Sequence, residues 1–150
     1  MDHQEIIKRA GDLINSKTGY IGGGMEGHCV LALIDVDGYP TASTVTISKA
    51  DGIKWLTFLG GLGGNKENRI NKNNRGSVCL STSKYNITLV GTLEILTDPK
   101  IKKEMWQDPI GEYFSGPDDP NYCVLRFNTE RYNLFFEDND SEARGSLKDI

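Results

Sequence analysis

Apolar residues recur at three- and four-residue steps near the start of the chain, at Ile6, Ile7, Ala10, Leu13 and Ile14. That period predicts an amphipathic helix over residues 2–15. Asp2 followed by Glu5 has the spacing of a capping box and marks its start. Glycines at 19, 22, 23 and 24 break the pattern, so 16–27 reads as loop. The texture then changes. Residues 29–36 form a nearly continuous apolar run of strand length, which predicts a strand covered on both faces. Asp37-Gly38 is a hairpin signal. The next strand, 41–48, is rich in Thr, Val and Ile and places Thr44, Thr46 and Ser48 on one face. Ala50-Asp51-Gly52 turns the chain into a third strand, 53–59, which completes an antiparallel meander.

Gly60-Gly61-Leu62-Gly63-Gly64 precedes a polar segment whose apolar member is Ile70, and a short surface helix is expected over 65–73. Strands follow at 76–81 and 87–96, joined by a polar turn around Lys84 and Asn86. Asp98-Pro99 combines a capping carboxylate with a proline at the first helical position. Ile101, Met105 and Trp106 would be the buried side of that helix. Asp108-Pro109 repeats the device for a shorter helix carrying Ile110, Tyr113 and Phe114. The turn-rich 116–120 leads to a pair of strands, 122–127 and 131–136. Residues 137–150 are mostly charged or small and read as a frayed tail. With no repeat and no linker, one domain is expected over 1–136. The fold class is mainly β: about six antiparallel strands with flanking helices, closed into a small barrel that leaves no exposed edges.

Composition narrows the classes. The 150 residues carry 17 Lys and Arg against 21 Asp and Glu, a net charge of −4. Neither a nucleic-acid binder nor a polybasic membrane-surface module is expected from that balance. The apolar runs fall short of the roughly 20 residues of a spanning helix. Asp2, Glu5, Lys8 and Arg9 interrupt any signal-peptide pattern, so a cytoplasmic location is expected. Cys29, Cys79 and Cys123 each sit in an apolar stretch, as buried thiols do in a reducing compartment. His3 and His28 fit no zinc spacing with them, and no metal site is expected.

Two features can carry chemistry. The glycine-rich 60–64 delivers Asn65 and Lys66 to a helix start, where unpaired amides, the helix dipole and an ammonium suit a phosphate. The plain alternative is a flexible loop with a solvated lysine. A nucleotide P-loop is excluded, because Lys66 is flanked by Asn65 and Glu67 where that motif needs glycine and a hydroxyl. A dinucleotide fingerprint is excluded too, since 22–27 opens a strand and no helix. The second feature is the hydroxyl row Ser43, Thr44, Thr46 and Ser48, able to hydrogen-bond phosphate or ribityl oxygens. Threonines also suit any strand with one wet face. Trp55 and Trp106 can flank a planar ligand or simply fill the core.

The order of these features resembles a known family. Gly38-Tyr39-Pro40, a hydroxyl strand, an aromatic strand, a loop ending in lysine, a short helix ending in Asn73-Asn74 and two strands meeting at Gly91 are similar to the pyridoxamine 5′-phosphate oxidase-like FMN-binding split β-barrels. Gly91-Thr92-Leu93-Glu94, Asp98 and Gly116-Pro117-Asp118-Asp119-Pro120 resemble its general stress protein branch, and the likeness covers roughly 5–136. The resemblance implies FMN as cofactor, held at the subunit interface of a homodimer. It implies that Ser43, Thr44, Val45, Thr46 and Ser48, with Asn65 and Lys66, grip the phosphate. It places Thr57 and Phe58 along the flavin ring and matches Asn86 to a glutamine often found in the flavin site. Ser43 and Asn65 stand where the oxidase has arginines (a serine in some relatives for the latter), leaving Lys66 as the clear cation.

The oxidase's C-terminal arginine–histidine motif for pyridoxal phosphate has no counterpart. The last strand ends Tyr132-Asn133-Leu134-Phe135-Phe136, and no histidine follows His28. Vitamin B6 oxidation is therefore not expected. The resemblance points to an FMN-dependent oxidoreductase or reductase of a small-molecule substrate, with no residue singled out as a catalytic acid or base. Two alternatives stand beside it: a non-catalytic module that binds or stores a flavin, haem or deazaflavin, and a structural dimer with an empty cleft.

Overall fold

The capping box forms. Asp2 accepts from the Glu5 amide at 2.8 Å and Glu5 accepts from the Asp2 amide at 3.1 Å, which starts helix α1 (His3–Ser16). In this computed structural model, which describes residues 1–149, Ile6, Ile7, Ala10 and Ile14 of α1 are buried in the core. The strands are β1 (His28–Ile34), β2 (Pro40–Thr46), β3 (Lys49–Asp51), β4 (Trp55–Gly61), β5 (Arg75–Ser81), β6 (Tyr85–Leu96), β7 (Tyr122–Phe136) and β8 (Ser141–Ser146). Helix α2 (Asn65–Lys72) follows β4, and α3 (Pro99–Met105) and a 3₁₀ turn (Asp108–Glu112) separate β6 from β7. No helix among the described residues is long and apolar enough to cross a membrane.

All pairings are antiparallel, in the order β2-β1-β5-β6-β7-β4-β3, with β8 added on β7. The sheet curls around Leu31, Leu33, Ile47, Leu56, Phe58 and Leu89, among others. Each such buried side chain stabilises the fold by about 1.5–3 kcal/mol relative to an exposed one. The two ends of the sheet, β2 and β3, are consecutive in the chain. Ile47 donates to Gly27 and Ser48 to Thr57, both at 2.8 Å, as the chain crosses from one edge to the other. The curled sheet is seamed there and opens beyond it, between β2 and β4.

The sheet has eight strands where the pattern predicts about six. The expected pair 122–127 and 131–136 is a single strand, because Asn128, Thr129 and Glu130 stay extended and lie against β6. Its first half pairs with β4 and its second half with β8. The segment expected to fray thus supplies β8. Alternation there buries Ser141 and Ala143, and Arg9 holds Asp138 through two hydrogen bonds of 3.0 and 2.9 Å.

Strand β1 is not covered on both faces: Val30 is 39% exposed while Leu31 is 1%. Trp106 caps α3 and packs edge-on against Tyr122 at 5.2 Å. The fully embedded member of α3 is instead Lys102, whose Nζ donates to the Asp119 carbonyl at 2.8 Å and so ties the 116–120 turn to the helix. Tyr113, expected on a helix, lies just past the 3₁₀ turn at 76% exposure.

Candidate functional site

The open side of the barrel is a pocket of about 960 Å³. One wall is β2, through Ser43, Thr44, Val45 and Thr46; another is the end of β4, through Phe58, Leu59, Gly60 and Gly61. The start of α2 contributes Gly64, Asn65, Lys66 and Arg69. The 3₁₀ turn and its exit add Pro109, Ile110, Glu112 and Tyr113. The volume falls in the range of small-molecule and cofactor sites.

Local sequence explains the α2 wall. Gly63 has φ +79°, a conformation that favours glycine, and it turns the chain from β4 into the helix. Gly64 is the N-cap and offers no side chain, so no side-chain cap hydrogen bond is made. Glu67 reaches back to the Gly63 amide instead. The first-turn amides of α2 are thus left uncapped beside the pocket, with the positive end of the helix dipole. Ile70 is buried and anchors the helix. Lys66, one turn earlier, is half-buried, as is Arg69, and neither forms an ion pair or a side-chain hydrogen bond with a described residue.

Ser43, Thr44, Val45, Thr46, Phe58, Asn65 and Lys66 are therefore brought together by the fold. Ser48, Thr57 and Asn86 are not part of the pocket lining. Ser48 and Thr57 are buried, at 1% and 0% exposure, and satisfy each other. Their hydroxyls lie 2.6 Å apart, Ser48 Oγ also reaches the Thr57 carbonyl at 2.9 Å, and Thr57 Oγ1 accepts from the Lys49 amide at 3.1 Å. Strand β2 ends at Thr46, so its period-two alternation does not carry Ser48 to the pocket face. Gln107 Nε2 donates to the Ser48 carbonyl at 2.8 Å and Lys49 Nζ to the Glu104 carbonyl at 3.1 Å. The pair thereby belongs to a latch that seats α3 and the 3₁₀ turn at the pocket mouth. Asn86 is exposed and accepts from Cys79 Sγ at 3.4 Å. Trp55 lies under Arg126, whose guanidinium carbon sits 4.7 Å from the ring centroid, and neither tryptophan lines the pocket.

Arg69, Glu112 and Tyr113 were not singled out by the sequence pattern. Arg69 had a usable signal, since it lies three residues after Lys66 and four after Asn65, the spacing of one helix face. Glu112 and Tyr113 had none, because the path of the 3₁₀ turn is set by tertiary contacts. Reactive thiols are not part of the site: burial pushes Cys29 up to about 12 and Cys123 up to about 11. No group of three or more His, Cys, Asp or Glu residues able to hold a metal occurs among the described residues.

Comparison with known proteins follows the same outline. The family model described as pyridoxamine 5′-phosphate oxidase matches residues 25–136. No curated protein sequence matches the chain. Among solved structures, a Clostridium acetobutylicum protein related to general stress protein 26 of B. subtilis is 24% identical, with a TM-score of 0.78 over 99% of both chains. General stress protein 26 of Bacillus anthracis is 21% identical, with a TM-score of 0.64 over 88% of this chain and 98% of its own. A pyridoxamine 5′-phosphate oxidase-related, FMN-binding protein of Nostoc punctiforme is 13% identical, with a TM-score of 0.64 over 98% of this chain and 97% of its own. At these identities the structural likeness establishes a shared split-barrel fold. With the family model covering most of the sequence, the chain belongs to the pyridoxamine 5′-phosphate oxidase family.

Proposed function

We propose that the chain is a homodimeric FMN-binding protein that acts as an FMN-dependent oxidoreductase on a small molecule other than pyridoxamine phosphate. The observation that carries this reading is Lys66: half-buried, free of protein partners among the described residues, on the wall of a pocket of about 960 Å³ at the first turn of α2. The FMN-binding description of the Nostoc relative supports the cofactor, and the missing arginine–histidine motif speaks against the oxidase's own substrate.

In this reading Lys66 Nζ and the first-turn amides of α2 take the phosphate. Asn65, Ser43, Thr44 and Thr46 add hydrogen bonds to phosphate or ribityl oxygens, while Val45 and Phe58 offer apolar surface to the ring. The 3₁₀ turn shields the site from water. Thr57 and Ser48 lie outside the lining and serve the fold, joining the chain at β3 to β4. Asn86 lies outside the pocket of its own chain, and in this reading it meets flavin only from across a dimer interface. Bound FMN would supply electron transfer, with the protein providing anchoring and orientation.

Purified protein should be yellow and release FMN on denaturation, and FMN at a hundred times its Kd should stabilise the fold by about 2.7 kcal/mol. Lys66→Ala should abolish flavin retention and change stability little, because it removes no internal partner. Reduction of the bound flavin by NADH or NADPH separates catalysis from storage. A colourless protein whose melting temperature ignores FMN would overturn the reading.

A further inference from the structure

Arg69 lies one helical turn beyond Asn65 and lines the same pocket as Lys66. Residues three apart on a helix have Cβ atoms about 5–6 Å from each other, so the two cations stand side by side on one face. Of the other arginines, Arg9 is engaged by Asp138, Arg144 by Glu142, and Arg126 by Asn128 and the Trp55 ring, while Arg75 and Arg131 are exposed to water. Arg69 is half-buried and has no such partner among the described residues. A guanidinium partly withdrawn from water without a counter-charge is destabilising, and an anion entering the pocket removes that cost.

The charge balance points the same way. A phosphate monoester carries roughly −1.5 to −2 at neutral pH. Lys66 offers a single positive charge, Ser43 and Asn65 are neutral, and Glu112 adds a negative group to the lining. Arg69 brings a second positive charge and a planar fork suited to two phosphate oxygens at once.

We infer that Arg69 is the second anion-binding residue of the pocket and selects the phosphorylated flavin over riboflavin. This rests on the FMN reading above and extends it: the second positive charge on the pocket wall comes from the next turn of α2. Riboflavin has no phosphate and gains nothing from Arg69.

The test measures Kd for FMN and for riboflavin by fluorescence titration of apoprotein, in wild type, Arg69→Gln and Arg69→Lys. Arg69→Gln should weaken FMN by about tenfold to a hundredfold and leave riboflavin unchanged, the loss expected for a charge-assisted hydrogen bond. Arg69→Lys should recover part of the loss, and added salt should weaken FMN more in wild type than in Arg69→Gln. Wild type that binds FMN while Arg69→Gln binds it equally well, or loses both flavins in proportion, overturns the role of Arg69 and leaves the FMN reading intact. Wild type that binds neither flavin overturns both.

Discussion

A methyl group added at Gly91 has nowhere to go. An ideal Cβ there would lie 2.0 Å from the Asn128 carbonyl oxygen, 2.9 Å from its carbon and 3.0 Å from Thr129 Cα. Carbon–oxygen contacts between strands settle at about 3.3–3.6 Å, so the shortfall exceeds roughly 1 Å. The clashing atoms are backbone, and no side-chain rotation relieves them. They also sit where the β6–β7 register slips: Val90 faces Arg131 while Gly91 faces Thr129, leaving Glu130 as the extra residue of a bulge. Just beyond it, β7 passes from pairing with β4 to pairing with β8.

Overpacking usually costs about 1–3 kcal/mol, and a backbone-locked site belongs at the upper end or above, so Gly91→Ala should lose about 3 kcal/mol or more. For a domain of this size that is a fall in Tm of roughly 6–12 °C, measured by thermal unfolding. Gly116→Ala is the control: no heavy atom lies within 4 Å of its Cβ position, and stability should be unchanged or slightly raised. A Gly91→Ala protein within about 1 kcal/mol of wild type would refute the steric account of the bulge.

Deleting residues 138–150 should cost at least about 2 kcal/mol, because it removes β8, exposes the β7 edge and deletes the Arg9–Asp138 pair; an unchanged Tm would mean that β8 contributes nothing. Thr57→Val removes the acceptor of the Lys49 amide and should destabilise by about 1–3 kcal/mol while leaving FMN affinity unchanged; weakened FMN binding in a folded protein would place Thr57 in the flavin site. A thiol reagent should modify half-buried Cys79 in the native protein and reach Cys29 and Cys123 only after unfolding. Burial raises Cys29 from 9.0 to about 12, Tyr122 from 10.0 to about 12 and Cys123 from 9.0 to about 11. The folded state therefore holds these protons longer than the unfolded chain, so their stabilisation is full below about pH 9 and lost between about pH 9 and 12. A urea midpoint that stays flat through that window contradicts the assignment.

Local signals were legible from the residues alone. The Asp2–Glu5 capping box, the Asp37-Gly38 hairpin, the Asp98-Pro99 helix start and the glycine entry to α2 each act within a few residues, and the structure realises each of them. The position of Asn65 and Lys66 at a glycine-entered helix start was legible for the same reason. What lay outside local reach depends on strands that meet from distant parts of the chain. The residues of β7 carry a turn-compatible Asn128-Thr129, yet pairing with β6 keeps them extended. The charged tail becomes β8 only because the second half of β7 offers it an unpaired edge. Ser48 reads as a continuation of the hydroxyl row, but the crossing to β3 turns it toward Thr57.

Residue types and short spacings thus determined where helices and hairpins begin and which polar side chains stand at those starts. Which of those side chains share one cavity was decided by the curl of the sheet, because β2, the end of β4 and the 3₁₀ turn approach one another only through long-range hydrogen-bond register and core packing.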